Sequence, residues 1–186
     1  MSTSEVLKDA REHMDKTLQS LQHEFATVRT GRASASLFEK VHVDAYGSSM
    51  PLNQVASIKV PEPQSVIIEP WDKSVIGAIE KAIQSSDLGL NPSNDGQVIR
   101  VPFPALNEER RKELVKLCKG YAEEARVAIR NIRRDANHRL DKMGKDSEIS
   151  EDDVRRTEAE VQKFTDAHIK DVDEALKRKE AEIMEV

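Results

Sequence analysis

Between Ala125 and Arg139 the chain reads ARVAIRNIRRDANHR, which sets Arg126, Arg130, Arg133, Arg134 and Arg139 against a single acid, Asp135. Arginine presents its N–H donors as a rigid fork that matches two oxygens of a phosphate at once, which lysine's point charge cannot do. Such a cluster binds anions, and several forks in a row suit a nucleic-acid backbone read by shape rather than by base. Placed on a helix at about 100° per residue, Lys112, Lys116, Lys119, Arg126, Arg130, Arg133 and Arg134 share a sector about 100° wide, interrupted mainly by Glu123 and Val115 and centred opposite the apolar stripe. A competing reading makes these residues an ordinary solvated face, neutralised by intrahelical pairs such as Glu123–Arg130 and Glu109–Lys112. The surplus of arginine over pairing acid favours the phosphate reading.

No other set of residues points to chemistry. The phosphate loop GxxxxGK[ST], the dinucleotide loop GxGxxG, the zinc motif HExxH and the nucleophile elbow GxSxG are all absent, so no catalytic residue, metal site or cofactor is expected. His13, His23, His42, His138 and His168 are dispersed, and His168, on an apolar stripe, reads as a packing residue. Cys118 stands alone beside Leu114 and Leu117 and reads as a buried, inert thiol. Trp71, just before Asp72, is expected to anchor the core of a small domain or the start of its helix. With aromatics at 4% of residues there is no stacking platform for single-stranded bases.

The charge distribution isolates the arginine stretch. The 186 residues carry a formal net charge of −5, yet residues 107–145 hold 12 bases against 7 acids while residues 146–186 hold 7 against 14. Screening confines each such patch to its own neighbourhood, so a basic surface can persist on an acidic protein. The longest apolar runs, such as SVIIEPW, fall far short of the roughly 20 residues of a membrane span, and MSTSEVLKDA lacks the apolar core of a signal peptide. A cytoplasmic location with no membrane partner is the expectation.

Three amphipathic segments must position the cations. The first opens on a capping box, Ser2-x-x-Glu5, and repeats Leu7, Met14, Leu18, Leu21, Phe25 and Val28 until Thr30-Gly31 interrupts it. The second opens at Asn107, has Glu108 and Glu109 in its first turn, and keeps Leu114, Leu117, Tyr121, Ala125, Ala128, Ile132, Ala136 and Met143 on one face. The third opens at Ser150-x-x-Asp153 and repeats Val154, Val161, Phe164, His168, Val172, Leu176 and Ile183. Three such stripes bury one another most economically in a three-helix bundle. Residues 39–101 follow a different pattern, with strand-like KVHVDAY, VASIKV, SVIIEP and QVIRV separated by GSSMP, PEPQ and NPSNDG, and a short helix carrying Ile76, Ile79 and Ile83 inward. The predicted fold is α+β and mainly α: a long three-helix bundle, residues 1–30 and 106–186, interrupted by a small β/α/β domain, residues 31–105.

RTGRAS at 29–34, KAIQSSDLGLNP at 81–92, IRVPFPALNEERRKELVK at 99–116 and ARVAIRNIRRDAN at 125–137, in this order and spacing, resemble the ribosome recycling factors of bacteria over essentially the whole chain. Ala35 departs from the proline usual at that turn. The resemblance implies an L-shaped monomer without enzymatic activity of its own. It would bind post-termination ribosomes and, with elongation factor G and that partner's GTP hydrolysis, split the subunits and release messenger and transfer RNA. It places the bundle on large-subunit RNA at the intersubunit face through Arg126, Arg130, Arg133 and Arg134, with Arg29, Arg110, Lys112, Lys116 and Lys119 as further contacts. Gly31, Arg32, Pro102 and Pro104 would form a hinge. Two other classes make different predictions: a helical adaptor, for which large RNA would not compete with the partner, and a hydrolase, which would turn over substrate alone.

Overall fold

A computed structural model describes residues 2–185. Its helices begin where the capping signals stand. Ser2 Oγ accepts the Glu5 amide at 3.2 Å while Glu5 Oε2 accepts the Ser2 amide at 2.7 Å, which closes the box at the start of α1 (Thr3–Ala26). Asn107 Oδ1 accepts the Arg110 amide at 2.7 Å and starts α4 (Glu108–Lys145), 38 residues or about 57 Å of helix. Ser150 Oγ accepts the Asp153 amide at 3.0 Å and starts α5 (Glu151–Met184). The end of α4 is equally explicit: the Glu148 amide reaches back to the Met143 carbonyl at 2.9 Å and the Ser147 amide to that of Gly144 at 3.1 Å. Ser147 takes φ +57°, the left-handed cap residue this paired-bond ending requires.

The chain divides into two compact units, Met1–Phe25 with Lys116–Glu180, and Ala26–Val115 with Ala181–Val186. The first is built from α1, α4 and α5. Its core mixes alanines with larger side chains: Ala10, Met14, Leu21 and Phe25 from α1, Cys118, Ala122, Ala125, Ile129, Ala136 and Leu140 from α4, and Val161, Phe164, Val172 and Ala175 from α5 are all buried. At one point even alanine would not fit, since a Cβ on Gly144 would stand 2.8 Å from Val154 Cγ2. Polar contacts bridge the helices at intervals. Arg139 Nη1 donates to Asp9 Oδ2 at 2.6 Å, and the Arg11 guanidinium lies 5.2 Å from the Phe164 ring centre. Buried His168 places Nδ1 2.6 Å from the Phe164 carbonyl and Nε2 2.6 Å from Asp15 Oδ1, so it packs as expected and also ties α5 to α1.

The second unit holds two antiparallel sheets. Strands β1 (His42–Ala45) and β2 (Ser48–Pro51) form a hairpin; a single turn, α2 (Leu52–Val55), leads into β3 (Ala56–Glu62) and β4 (Ser65–Pro70). After α3 (Ile76–Gln84) come β5 (Ser93–Asn94) and β6 (Ile99–Pro102), and the larger sheet has the order β3-β4-β6-β5. Val41, Val43 and Ala45 face inward with Leu52, Val66, Ile68, Ile79, Ile83, Ile99 and Val101, as their alternation and helical spacing predict. Phe38 and Phe103 meet edge to face at 6.3 Å.

Three readings of this region are corrected. GSSMP is not a separator: Ser48–Pro51 pairs with β1, and the turn is Tyr46-Gly47 alone, with φ of +53° and +78°. Positive φ at both loop residues matches the twist of a two-residue hairpin, a geometry that sequence hides because tyrosine is a poor marker of it. Trp71 is 66% exposed and anchors no core; its amide donates to the Val55 carbonyl, while Asp72 Oδ1 accepts the Ser74 amide and starts the turn before α3. Ile76 is only half-buried, and Val75 is buried beside it.

Candidate nucleic-acid interface

Every expected RNA-binding cation except Arg29 lies on α4. The core direction of that helix is set by Cys118, Ala122, Ala125, Ile129, Ala136 and Leu140, all buried. At about 100° per residue this is roughly 45° round from the stripe read in the sequence. Leu117 is 45% exposed, and Tyr121, Ala128 and Ile132 are half-buried because they line an open groove of about 500 Å³ against His13, Lys16 and Leu21 of α1. The cations therefore flank the core instead of standing opposite it. Arg126 and Arg133 lie nearest the core edge, Lys119, Arg130 and Lys112 further round, and Lys116 and Arg134 furthest out.

This position couples the arginines to α5. Arg126, whose side chain is 19% exposed, directs Nε at 2.8 Å and Nη2 at 2.7 Å to Asp173 Oδ1, and Nη1 at 3.1 Å to Glu123 Oε2. Arg130 Nη1 approaches the other oxygen of the same carboxylate, Glu123 Oε1, at 3.4 Å. Arg133 Nη1 donates to Gln162 Oε1 at 3.3 Å, and Gln162 Nε2 donates in turn to Asp166 at 2.8 Å. Arg134 is exposed and makes no ion pair among the described residues. Burial pulls the Arg126 guanidinium down, but its bonds to Asp173 and Glu123 outweigh this and hold it above the ordinary arginine value. The Arg126 contact holds the Glu123 carboxyl below the usual carboxylate range, against slight burial and with help from Arg130.

The remaining candidates are placed less uniformly. Lys116 and Lys119 are exposed; Lys112 pairs with Glu108 at 3.1 Å and Arg110 with Glu113 at 2.8 Å, both within the first turns of α4. Arg29 is half-buried: it donates to the Pro104 carbonyl and lies 5.6 Å from the Phe103 ring centre, and burial, aided by nearby Arg110, lowers its pKa. Its contacts tie together the two stretches by which the chain enters and leaves the inserted domain. Among the expected hinge residues, Arg32 pairs with Glu185 at 3.2 Å, Pro102 closes β6 opposite Ser65, and Pro104 receives Arg29. Gly31 has no neighbour within 4 Å of a Cβ built on it, so no close approach requires glycine there.

Asp173 and Gln162 were not legible as partners of this face. They come from another helix, 47 and 29 residues along the chain from the arginines they hold. The local Glu123–Arg126 spacing of three is visible in the sequence beside the Glu123–Arg130 pair, and Glu123 takes both arginines. Among the described residues no helix is long and apolar enough to cross a membrane, and no group of His, Cys, Asp and Glu could hold a metal ion.

Three long helices carrying interhelically braced arginines, with a small α/β domain inserted between the first two, define a mainly helical α+β protein that gathers its cations on one face of its second long helix. The comparison with known proteins makes this specific. The family model for the ribosome recycling factor matches residues 21–184, and the chain belongs to that family. It is 57% identical to the ribosome-recycling factor of Carboxydothermus hydrogenoformans over 98% of each chain, and 56% identical to that of Bacillus pumilus over 99% of this chain and all of the other. A solution structure of the ribosome recycling factor superposes with a TM-score of 0.79 at 41% identity, covering 100% of this chain and 99% of that one. A structure of the T. thermophilus factor and the E. coli elongation factor G bound to the E. coli post-termination complex gives 0.68 at 47% identity over the full length of both chains. Membership makes this chain a translation factor that acts in ribosome recycling, not an enzyme.

Proposed function

We propose that the protein binds the post-termination ribosome with the cationic face of α4 against large-subunit RNA at the intersubunit side. Elongation factor G then drives subunit splitting, with release of messenger and transfer RNA, by hydrolysing GTP itself. Residues 1–30 and 106–186 act as the ribosome-binding bundle and residues 31–105 as the part that the partner pushes, with Gly31, Arg32, Pro102 and Pro104 as the joint. The protein works in the cytoplasm as a monomer and holds no cofactor. The structure of the T. thermophilus factor with the E. coli elongation factor on a post-termination complex supports the pairing of partners.

The observation that carries the RNA contact is the bracing of the arginines. Arg133 spends one Nη1 bond on Gln162, and Arg134 is exposed, so forked donors remain for phosphate oxygens on a helix whose backbone is already ordered. Arg29, Arg110, Lys112, Lys116 and Lys119 extend the same electrostatic footprint. Arg133→Ala is expected to weaken binding to isolated large subunits by roughly 1–3 kcal/mol, and Arg133→Lys to recover only part, because lysine keeps the charge and loses the fork. Wild-type binding should fall steeply with salt, with a log–log slope of about −0.7 to −0.9 for each phosphate contact. Unchanged affinity for both variants, with intact helicity, would sink this reading.

A further inference from the structure

We propose that Arg126 and Arg130 form a cradle for one phosphate of the RNA, and that in the free protein the Glu123 carboxylate occupies this cradle as an intramolecular competitor. The inference rests on the RNA-binding reading of α4 and assigns a role within it to an acid. Glu123 is the one acid between Lys119 and Arg134 on that face, and it uses both oxygens there: Oε2 takes Arg126 Nη1 at 3.1 Å and Oε1 takes Arg130 Nη1 at 3.4 Å. A carboxylate bridging two guanidinium groups stands in for two oxygens of a phosphodiester, which accept the same N–H donors at the same range of distances.

The two arginines have unequal parts. Arg126 keeps Nε and Nη2 on Asp173 of α5 whatever Nη1 contacts, so its guanidinium is a fixed wall. Among the described residues Arg130 has Glu123 as its one ion-pair partner, at the longest distance in the cluster, and half of the Glu123 side chain is solvent-exposed. Glu123 can therefore rotate into water and leave two donors facing outward. Exposed pairs of this kind are individually weak, so the exchange is readily reversed. A factor that must leave after one round of work gains from a face that neutralises itself on release.

The test compares Glu123→Gln with Glu124→Gln, which removes the same charge one residue away, from the side of α4 that lines the groove against α1. Affinity of the full chain for isolated large subunits is measured across a salt series, with helicity as the folding control. Glu123→Gln is expected to bind about three- to tenfold tighter with a salt slope close to that of wild type, because the same phosphate contacts form in both complexes and only the carboxylate that must be displaced is gone. Glu124→Gln should stay within about twofold of wild type, and adding Arg130→Ala to Glu123→Gln should abolish the gain. Equal or weaker binding by Glu123→Gln overturns the proposal, because Glu123 would then be orienting the arginines. An equal gain from Glu124→Gln also overturns it, because net charge would be the cause. If Arg133→Ala weakens binding while Glu123→Gln changes nothing, the cradle alone fails; if neither changes binding, the RNA face itself is wrong.

Discussion

The two compact units differ in what they add to their apolar cores. The inserted domain packs large branched and aromatic side chains, Ile68, Ile79, Ile83, Ile99, Phe38 and Phe103, into one continuous core of sheets and helix. The three long helices bury more alanine, Ala10, Ala122, Ala125, Ala136 and Ala175, beside larger residues such as Met14, Leu21, Ile129, Leu140 and Phe164, and they supplement this with contacts between charged and polar side chains, Arg139–Asp9, Arg126–Asp173, Arg133–Gln162 and Asp15–His168. The difference shows where structure and binding are separable. In the inserted domain the core is remote from surface chemistry, whereas in the helical unit the side chains that join helices are also the ones that present charge.

The largest effect that would sharpen this contrast is in the dense core. Ile68→Ala should destabilise the inserted domain by about 2–5 kcal/mol, since the site is fully enclosed and a cavity remains. Urea unfolding followed by far-ultraviolet circular dichroism should then show an early transition of small amplitude, with most helical signal lost later. A single transition shifted as a whole would break the comparison, because the two units would then be unfolding as one.

Next in size is the seam between α4 and α5. Gly144→Ala pushes a methyl to 2.8 Å from Val154 Cγ2 and should cost about 1–3 kcal/mol, because valine has little rotamer freedom with which to retreat. Gly120 lies in the same helix with nothing within 4 Å of its would-be Cβ, and Gly120→Ala should stabilise by about 0.5–1 kcal/mol through helix propensity and a less flexible unfolded chain. Opposite signs for one substitution in one helix, read as shifts in melting temperature, would locate the tight part of the seam. Two stabilising results would show that the helices can separate there without cost.

The smallest expected effect is that of pH on the ion pairs. Asp9, held down chiefly by its bond from Arg139, and Glu123, held down chiefly by Arg126, both have folded-state pKa values below their unfolded ones. Their contribution is therefore present above the ordinary carboxylate range near 4 and is lost as pH falls from there through the lowered values. Melting temperature should stay level in this respect from pH 7 to about 5 and decline below about 4. Arg139→Gln should flatten part of that decline; an unchanged acid limb would show that the Asp9 pair adds nothing measurable.

Much of this architecture is legible in the residues because it is local. A capping serine or asparagine acts on amides two or three residues away, so Ser2, Asn107 and Ser150 mark their helices without reference to the rest of the chain. Alternation in Val41, Val43 and Ala45 is equally local, since a strand's faces alternate by construction. The hairpin at Tyr46-Gly47 escaped because its turn does not use the asparagine or aspartate that usually announces positive φ. Trp71 was misplaced because hydrophobic size alone does not say which way a residue at the end of a strand points.

By itself the sequence determined the family, the three long helices with an inserted β/α/β domain, and the concentration of arginine on the second long helix, each of which depends on residue type and spacing along one segment. Only the tertiary structure decided where that helix turns its arginines. The apolar stripe was broad enough to permit two orientations about 45° apart, and packing among the helices selected the one that buries Ile129 and Leu140 and exposes Leu117. That choice brings Arg126 onto Asp173 and Arg133 onto Gln162, pairings that no local rule predicts because the partners lie on another helix. Periodicity defines a helix's face only to within a side chain's width, and the neighbouring helix settles the rest.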